Sequence, residues 1–218
     1  AIDMPGHGKS ADWSGIGDFH RACTDAALPF LTEPMDVIGH SFGATVALRL
    51  AIEHPELVRS LTMIEAVLFA VAREDAPEEL AMHEEEARPY LDALGLGDMA
   101  LAARLFNRLW GDGTSWEDFS PAARAYMTER MFLIPAQTDA IFNDNAHLLQ
   151  PERMSRAAMP SLLIAGSKSP AIARTINAAL LRRLPDARMV TIPDARHMAP
   201  MTHPSEVAAA IAALVEMA

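Results

Sequence analysis

The chain has one cysteine, Cys23, in 218 residues. That excludes a disulfide framework within it and leaves no thiol cluster for a metal. Basic residues are scarce: 18 Lys and Arg stand against 29 Asp and Glu, for a net charge of −11, and the pI is near 5.1. A field of that sign repels polyanions, so nucleic acid and anionic membranes are excluded as expected partners. No apolar run reaches the roughly 18 residues of a membrane span. The opening Ala1-Ile2-Asp3 carries no charged leader, so the expected compartment is the cytoplasm. Internal repeats and low-complexity linkers are also missing. What is present suits a folded core: 50% of residues are hydrophobic and 22% charged, with a mean hydropathy of +0.09. The length fits one domain, or one domain with a sizeable insertion.

The chain divides into three zones. In residues 1–68, Met35-Asp36-Val37-Ile38-Gly39 reads as a buried strand and Phe42 to Glu53 as a helix stopped near Pro55. Ser60 to Ile64 reads as a second strand, and Ala1-Ile2-Asp3 as the end of an earlier one. Residues 69–157 are helical in composition, with a run of acidic residues from Glu74 to Glu86 that reads as a solvated helix face. They also hold most of the aromatics, including Trp110, Phe119, Tyr126 and Phe132. Residues 158–218 return to alternation: a strand at Ser161–Gly166, a helix from Ile172, a strand at Arg188–Ile192 and a helix from Pro204. Alternation on both sides of a helical block predicts an α/β fold with a parallel sheet interrupted by a helical insertion.

Gly39-His40-Ser41-Phe42-Gly43 fits G-x-S-x-G, with the strand before it and the helix after it that this turn requires. The pentapeptide by itself is modest evidence, since about one chain in twenty of this size holds it by chance. Two other segments strengthen it. Asp3-Met4-Pro5-Gly6-His7-Gly8-Lys9-Ser10 resembles the D-x-P-G-x-G-x-S loop of the α/β-hydrolases, and Ile192-Pro193-Asp194-Ala195-Arg196-His197 resembles the loop that carries their catalytic histidine. The resemblance spans the chain except for its middle. It implies a mostly parallel sheet flanked by helices, with a core of residues 1–68 and 158–218 and a helical cap at 69–157, inserted after the family's sixth strand. It also implies that the family's first three strands lie upstream of Ala1. Their expected source is omitted N-terminal sequence, a cleaved companion segment or another chain, as in a homodimer.

The resemblance makes Ser41 the nucleophile and His197 its general base. The Phe42 N–H becomes one oxyanion donor, and the second donor is expected in the upstream segment. The third member departs from the commonest family pattern, where an acid stands three residues after the glycine that ends the seventh strand. Here that glycine is Gly166 and the position is Ser169. Some relatives carry the acid after the sixth strand, which makes Glu65 the first candidate; Asp194 in the histidine loop is the alternative. His40, Trp110, Phe132 and Met198 are candidates for the substrate pocket, although aromatics and methionines are as often plain core.

A serine nucleophile points to acyl transfer, and the expected activity is that of a carboxylesterase-type serine hydrolase acting on a small, largely apolar ester through an acyl-enzyme. Two alternatives remain, a C–C bond hydrolase and a catalytically silent small-molecule receptor. No cofactor is expected, and no metal, because His197 and His203 lack a third ligand.

Overall fold

The computed structural model describes residues 1–218. Four parallel strands lie in the order β1 (Met35–His40), β2 (Val58–Ile64), β3 (Ser161–Gly166) and β4 (Ala187–Ile192). Helix α1 (Phe19–Ala27) precedes β1, and α2 (Phe42–Glu53) joins β1 to β2. Seven helices separate β2 from β3: α3 (Ala70–Asp75), α4 (Pro77–Gly95), α5 (Met99–Trp110), α6 (Pro121–Glu129), α7 (Leu133–Ala136), α8 (Thr138–Ile141) and α9 (Pro151–Met154). Helix α10 (Ala171–Leu181) joins β3 to β4, and α11 (Ala199–Thr202) and α12 (Pro204–Val215) close the chain.

The two central strands are apolar because helices cover both of their faces. Every residue of β3 is buried, as is all of β2 except Arg59. Leu61, Met63 and Leu163 pack against Leu48 and Ile52 of α2 and against Ile172 and Ile176 of α10. The same core continues into Leu80, Trp110, Ile141 and Leu148, so the helical block shares its interior with the sheet.

Strand β1 ends this four-stranded sheet, with Met35 40% and Ile38 52% exposed on the side where the resemblance puts an earlier strand of the family. One expectation needs correction. Ala1–Met4 forms no strand; Ile2 and Met4 instead pack onto the cluster of Phe19, Cys23, Val46 and Leu50. Helix α1, which is not among the expected elements, buries one face made of Phe19, Cys23 and Ala27 together with His20 and Thr24. Glu53 ties this side together by accepting from Arg49, Arg21 and Arg153 at 3.0, 3.0 and 3.3 Å. No helix is long and apolar enough to cross a membrane.

The strand register brings the carboxyl ends of the strands side by side. His40 pairs with Ile64, Ile64 with Ile164, and Gly166 with Ile192. Each next residue then extends the ladder by one bond. The Ser41 N–H donates to the Ile64 carbonyl at 2.9 Å, the Glu65 N–H to Ile164 at 2.8 Å and the Ser167 N–H to Ile192 at 2.9 Å.

Candidate active site

Ser41 stands in the turn between β1 and α2 with φ 55° and ψ −125°. That left-handed φ is strained for a residue with a Cβ and holds the hydroxyl clear of the sheet. The turn is possible because Gly39 has no side chain: a Cβ there would lie 2.2 Å from the Gly43 carbonyl oxygen. The Phe42 amide opens α2, where the helical ladder offers it no partner and the helix dipole favours negative charge.

The structure brings Ser41, His197 and Glu65 into one line. The Ser41 hydroxyl donates to His197 Nε2 at 3.0 Å, and His197 Nδ1–H donates to Glu65 Oε2 at 3.1 Å. Glu65 is completely buried, also with a left-handed φ of 53°. A buried carboxylate needs several donors, and it has them. Oε1 accepts from the Gly166 N–H at 2.5 Å and from the Ser169 hydroxyl at 2.7 Å. Thus Ser169, at the position where the commonest family pattern has an acid, donates to the carboxylate that reaches the histidine. Asp194 lies elsewhere: its carboxylate is exposed and pairs with Lys168 at 2.8 Å, which holds it below the usual carboxylate range.

His197 is 5% exposed. The Trp110 ring meets it edge-on at 4.7 Å between centroids, and the His40 ring lies 4.9 Å away on a tilt. His40 Nε2–H donates to the His197 carbonyl at 2.8 Å, so His40 anchors the histidine loop. Trp110 and Met198 line an adjoining cavity of about 490 Å³, together with Phe119, Tyr126 and Leu133. His40 and Phe132 are not among its lining residues, and Phe132 is 37% exposed. A larger groove of about 770 Å³ lies among Arg73, Glu74, Arg182 and Arg183 and shares none of these residues.

Burial pushes His40 down to about 4, with the charge of His197 acting in the same direction. Burial also pushes down His20 and His83, each to about 4. The unfolded chain binds these protons near the ordinary value of 6.5, so it takes up protons that the native state refuses. Stability is therefore intact above pH 6.5 and falls as pH drops towards 4. Each histidine contributes up to about 1.4 kcal/mol per pH unit within that window. Urea midpoints should fall steeply between pH 7 and pH 5, and less steeply in His83→Gln. A midpoint that stays level over this range would contradict the assignment.

Comparison with known proteins gives a consistent picture. Residues 1–210 match the family described as "Alpha/beta hydrolase family". The chain is 30% identical over 230 residues to a pimeloyl-[acyl-carrier protein] methyl ester esterase of Neisseria meningitidis serogroup A, covering 99% of this chain and 67% of that protein. It is 22% identical to the (E)-2-((N-methylformamido)methylene)succinate hydrolase of Acinetobacter baylyi, over 99% of this chain and 79% of the relative. Among solved structures, a hydrolase from Pseudomonas aeruginosa PA01 superposes with a TM-score of 0.69 at 22% identity, covering 98% of this chain and 77% of the other; that likeness speaks for the fold.

Proposed function

Since this chain belongs to the alpha/beta hydrolase family, we propose that it is a serine hydrolase that cleaves a carboxylic ester, or a related acyl bond, of a small and largely apolar substrate. The observation that carries this reading is the unbroken hydrogen-bond line from Ser41 through His197 to Glu65. The similarity to the Neisseria meningitidis esterase supports an ester as the bond cleaved, and the apolar lining of the adjoining cavity suits an acyl or alkyl group.

In the proposed reaction, His197 Nε2 takes the proton of Ser41 as the hydroxyl oxygen attacks the ester carbonyl. Glu65 holds the Nδ1–H tautomer and stabilises the imidazolium that forms. The Phe42 N–H and the α2 terminus stabilise the oxyanion. The tetrahedral intermediate collapses as His197 returns the proton to the leaving alkoxide, which departs as the alcohol and leaves an acyl-Ser41 ester. Water, deprotonated by His197, then attacks that ester; the acid is released and Ser41 regains its proton.

A fluorophosphonate probe should label the folded protein at one equivalent, and Ser41→Ala should abolish the labelling. No labelling of intact, folded protein overturns the reading and favours a silent receptor. Turnover of a vinylogous diketone in preference to simple esters would move the assignment to C–C bond hydrolysis.

A further inference from the structure

We propose that Arg130 selects the substrate: the ester that this chain hydrolyses carries a second, free carboxylate, which the Arg130 guanidinium binds in the cavity beside Trp110. The substrate class is then the monoesters of dicarboxylic acids, a refinement that rests on the esterase reading of Ser41.

Arg130 is the one Lys or Arg in the cavity lining, which is otherwise dominated by apolar side chains. Its Nε is buried and has no hydrogen-bond partner. That atom is sealed from the cavity as well as from bulk water, so the terminal nitrogens are the donors left to a ligand. Its guanidinium carbon lies over the Tyr126 ring, 4.8 Å from the centroid, a cation–π contact that helps hold it in place. The nearest carboxylate is that of the neighbouring Glu129, at 3.6 Å from a terminal nitrogen and 65% exposed. An exposed pair of that kind is worth little and competes weakly for the guanidinium. Other arginines of the chain are better matched: Arg183 pairs with Asp75 and Glu74, Arg49 with Glu53, and Arg88 with Glu85.

The remaining titratable groups of the lining do not compete for Arg130. Asp112 accepts the Thr114 N–H at 2.8 Å, and the hydrogen bonds from Thr114, with Arg196 beside them, hold its carboxyl below the usual carboxylate range. Its charge is thus engaged within its own loop. His7 Nδ1 donates to the Pro5 carbonyl at 3.2 Å. A carboxylate entering the cavity meets Arg130 as its one cationic partner, and the two terminal nitrogens form the fork that grips two oxygens. The chain's net charge of −11 repels anions at long range. The preference must therefore arise from contact, and in turnover it should appear in KM more than in kcat.

The test is calorimetric binding to the Ser41→Ala protein. Monomethyl dicarboxylates of graded length are each compared with the dimethyl ester of the same length. At the best length the monoester should bind at least about tenfold more tightly. Arg130→Met should bring the ratio close to one, Arg130→Lys should leave it intermediate, and Arg88→Gln, on the outer face of α4, should leave it intact. Equal affinity for the two esters overturns the proposal, as does a preference that survives in Arg130→Met. Should Arg130→Met fail to fold, Arg130→Lys and the parent comparison decide. Because binding to Ser41→Ala needs no hydrolysis, the two readings fail separately. Monoester preference without any ester turnover by the parent refutes the esterase reading alone, and ester turnover without preference refutes this one alone.

Discussion

Glu65→Gln should lower kcat for ester hydrolysis by about 10³–10⁴-fold, while Ser169→Ala should lower it by no more than about tenfold. The asymmetry follows from who donates to whom. Oε1 of Glu65 accepts from both the Gly166 N–H and the Ser169 hydroxyl. In the glutamine variant the amide oxygen must take that position, because an NH2 there would face two donors. The NH2 then faces His197 Nδ1 and turns it into an acceptor. The imidazole proton moves to Nε2, and the lone pair that receives the Ser41 proton is gone. Gly166 and Ser169 thus force the wrong tautomer in a variant that differs from the parent by one atom's identity. Ser169→Ala removes one donor but leaves Glu65 its bonds to Gly166 and His197. Steady-state rates on one ester, with melting curves to show that both variants fold, decide the matter. Equal losses in the two variants, or the larger loss in Ser169→Ala, would remove Glu65 from the proposed triad.

The second large effect concerns the two glycines of one motif. Gly39→Ala should cost at least about 3 kcal/mol of stability, and Gly43→Ala should stay within about 1 kcal/mol of the parent. A Cβ on Gly39 would meet the Gly43 carbonyl oxygen at 2.2 Å and the Ala44 Cα at 2.6 Å, both backbone atoms with no rotamer to yield. At Gly43 a Cβ meets nothing within 4 Å, and the position lies in the first turn of α2. A chain of this size melts about 2–4 °C lower per kcal/mol lost. Gly39→Ala should therefore melt at least about 6 °C below the parent, with Gly43→Ala close to it. Comparable melting temperatures for the two variants would show that α2 can draw back from β1, contrary to this close backbone packing.

Much of the fold is legible because it is written locally. The apolar run Ser161–Gly166 reads as a buried strand and is one. Phe42–Glu53 reads as a helix with the bounds it has. Pattern reading fails where burial depends on partners distant in the chain. Ile38 of β1 reads as buried, and the side of the sheet on which it stands carries no further strand within residues 1–218. His20 and Thr24 read as polar, yet both are buried with α1, where His20 Nε2 and the Thr24 hydroxyl bond to the carbonyls of Thr45 and His20. Arg130 gives no local signal either. An arginine at the end of a helix reads as solvated, and only the packing around it reveals a guanidinium lining a cavity among apolar side chains.

By itself the sequence determined the turn that lifts Ser41, because glycine, serine and the strand-to-helix switch are properties of adjacent residues. It also determined that a histidine loop follows the last strand. Which carboxylate meets that histidine was decided only by tertiary structure. Glu65 and Asp194 are both available along the chain, and Asp194 is by far the nearer to His197 in sequence. The register of β2 against β3 carries Glu65 beneath the Gly166 amide and the Ser169 hydroxyl and within 3.1 Å of a histidine 132 residues away. Asp194 instead reaches outward to Lys168. Local pattern can nominate an acid, but only the alignment of distant strands supplies the donors that a buried carboxylate needs.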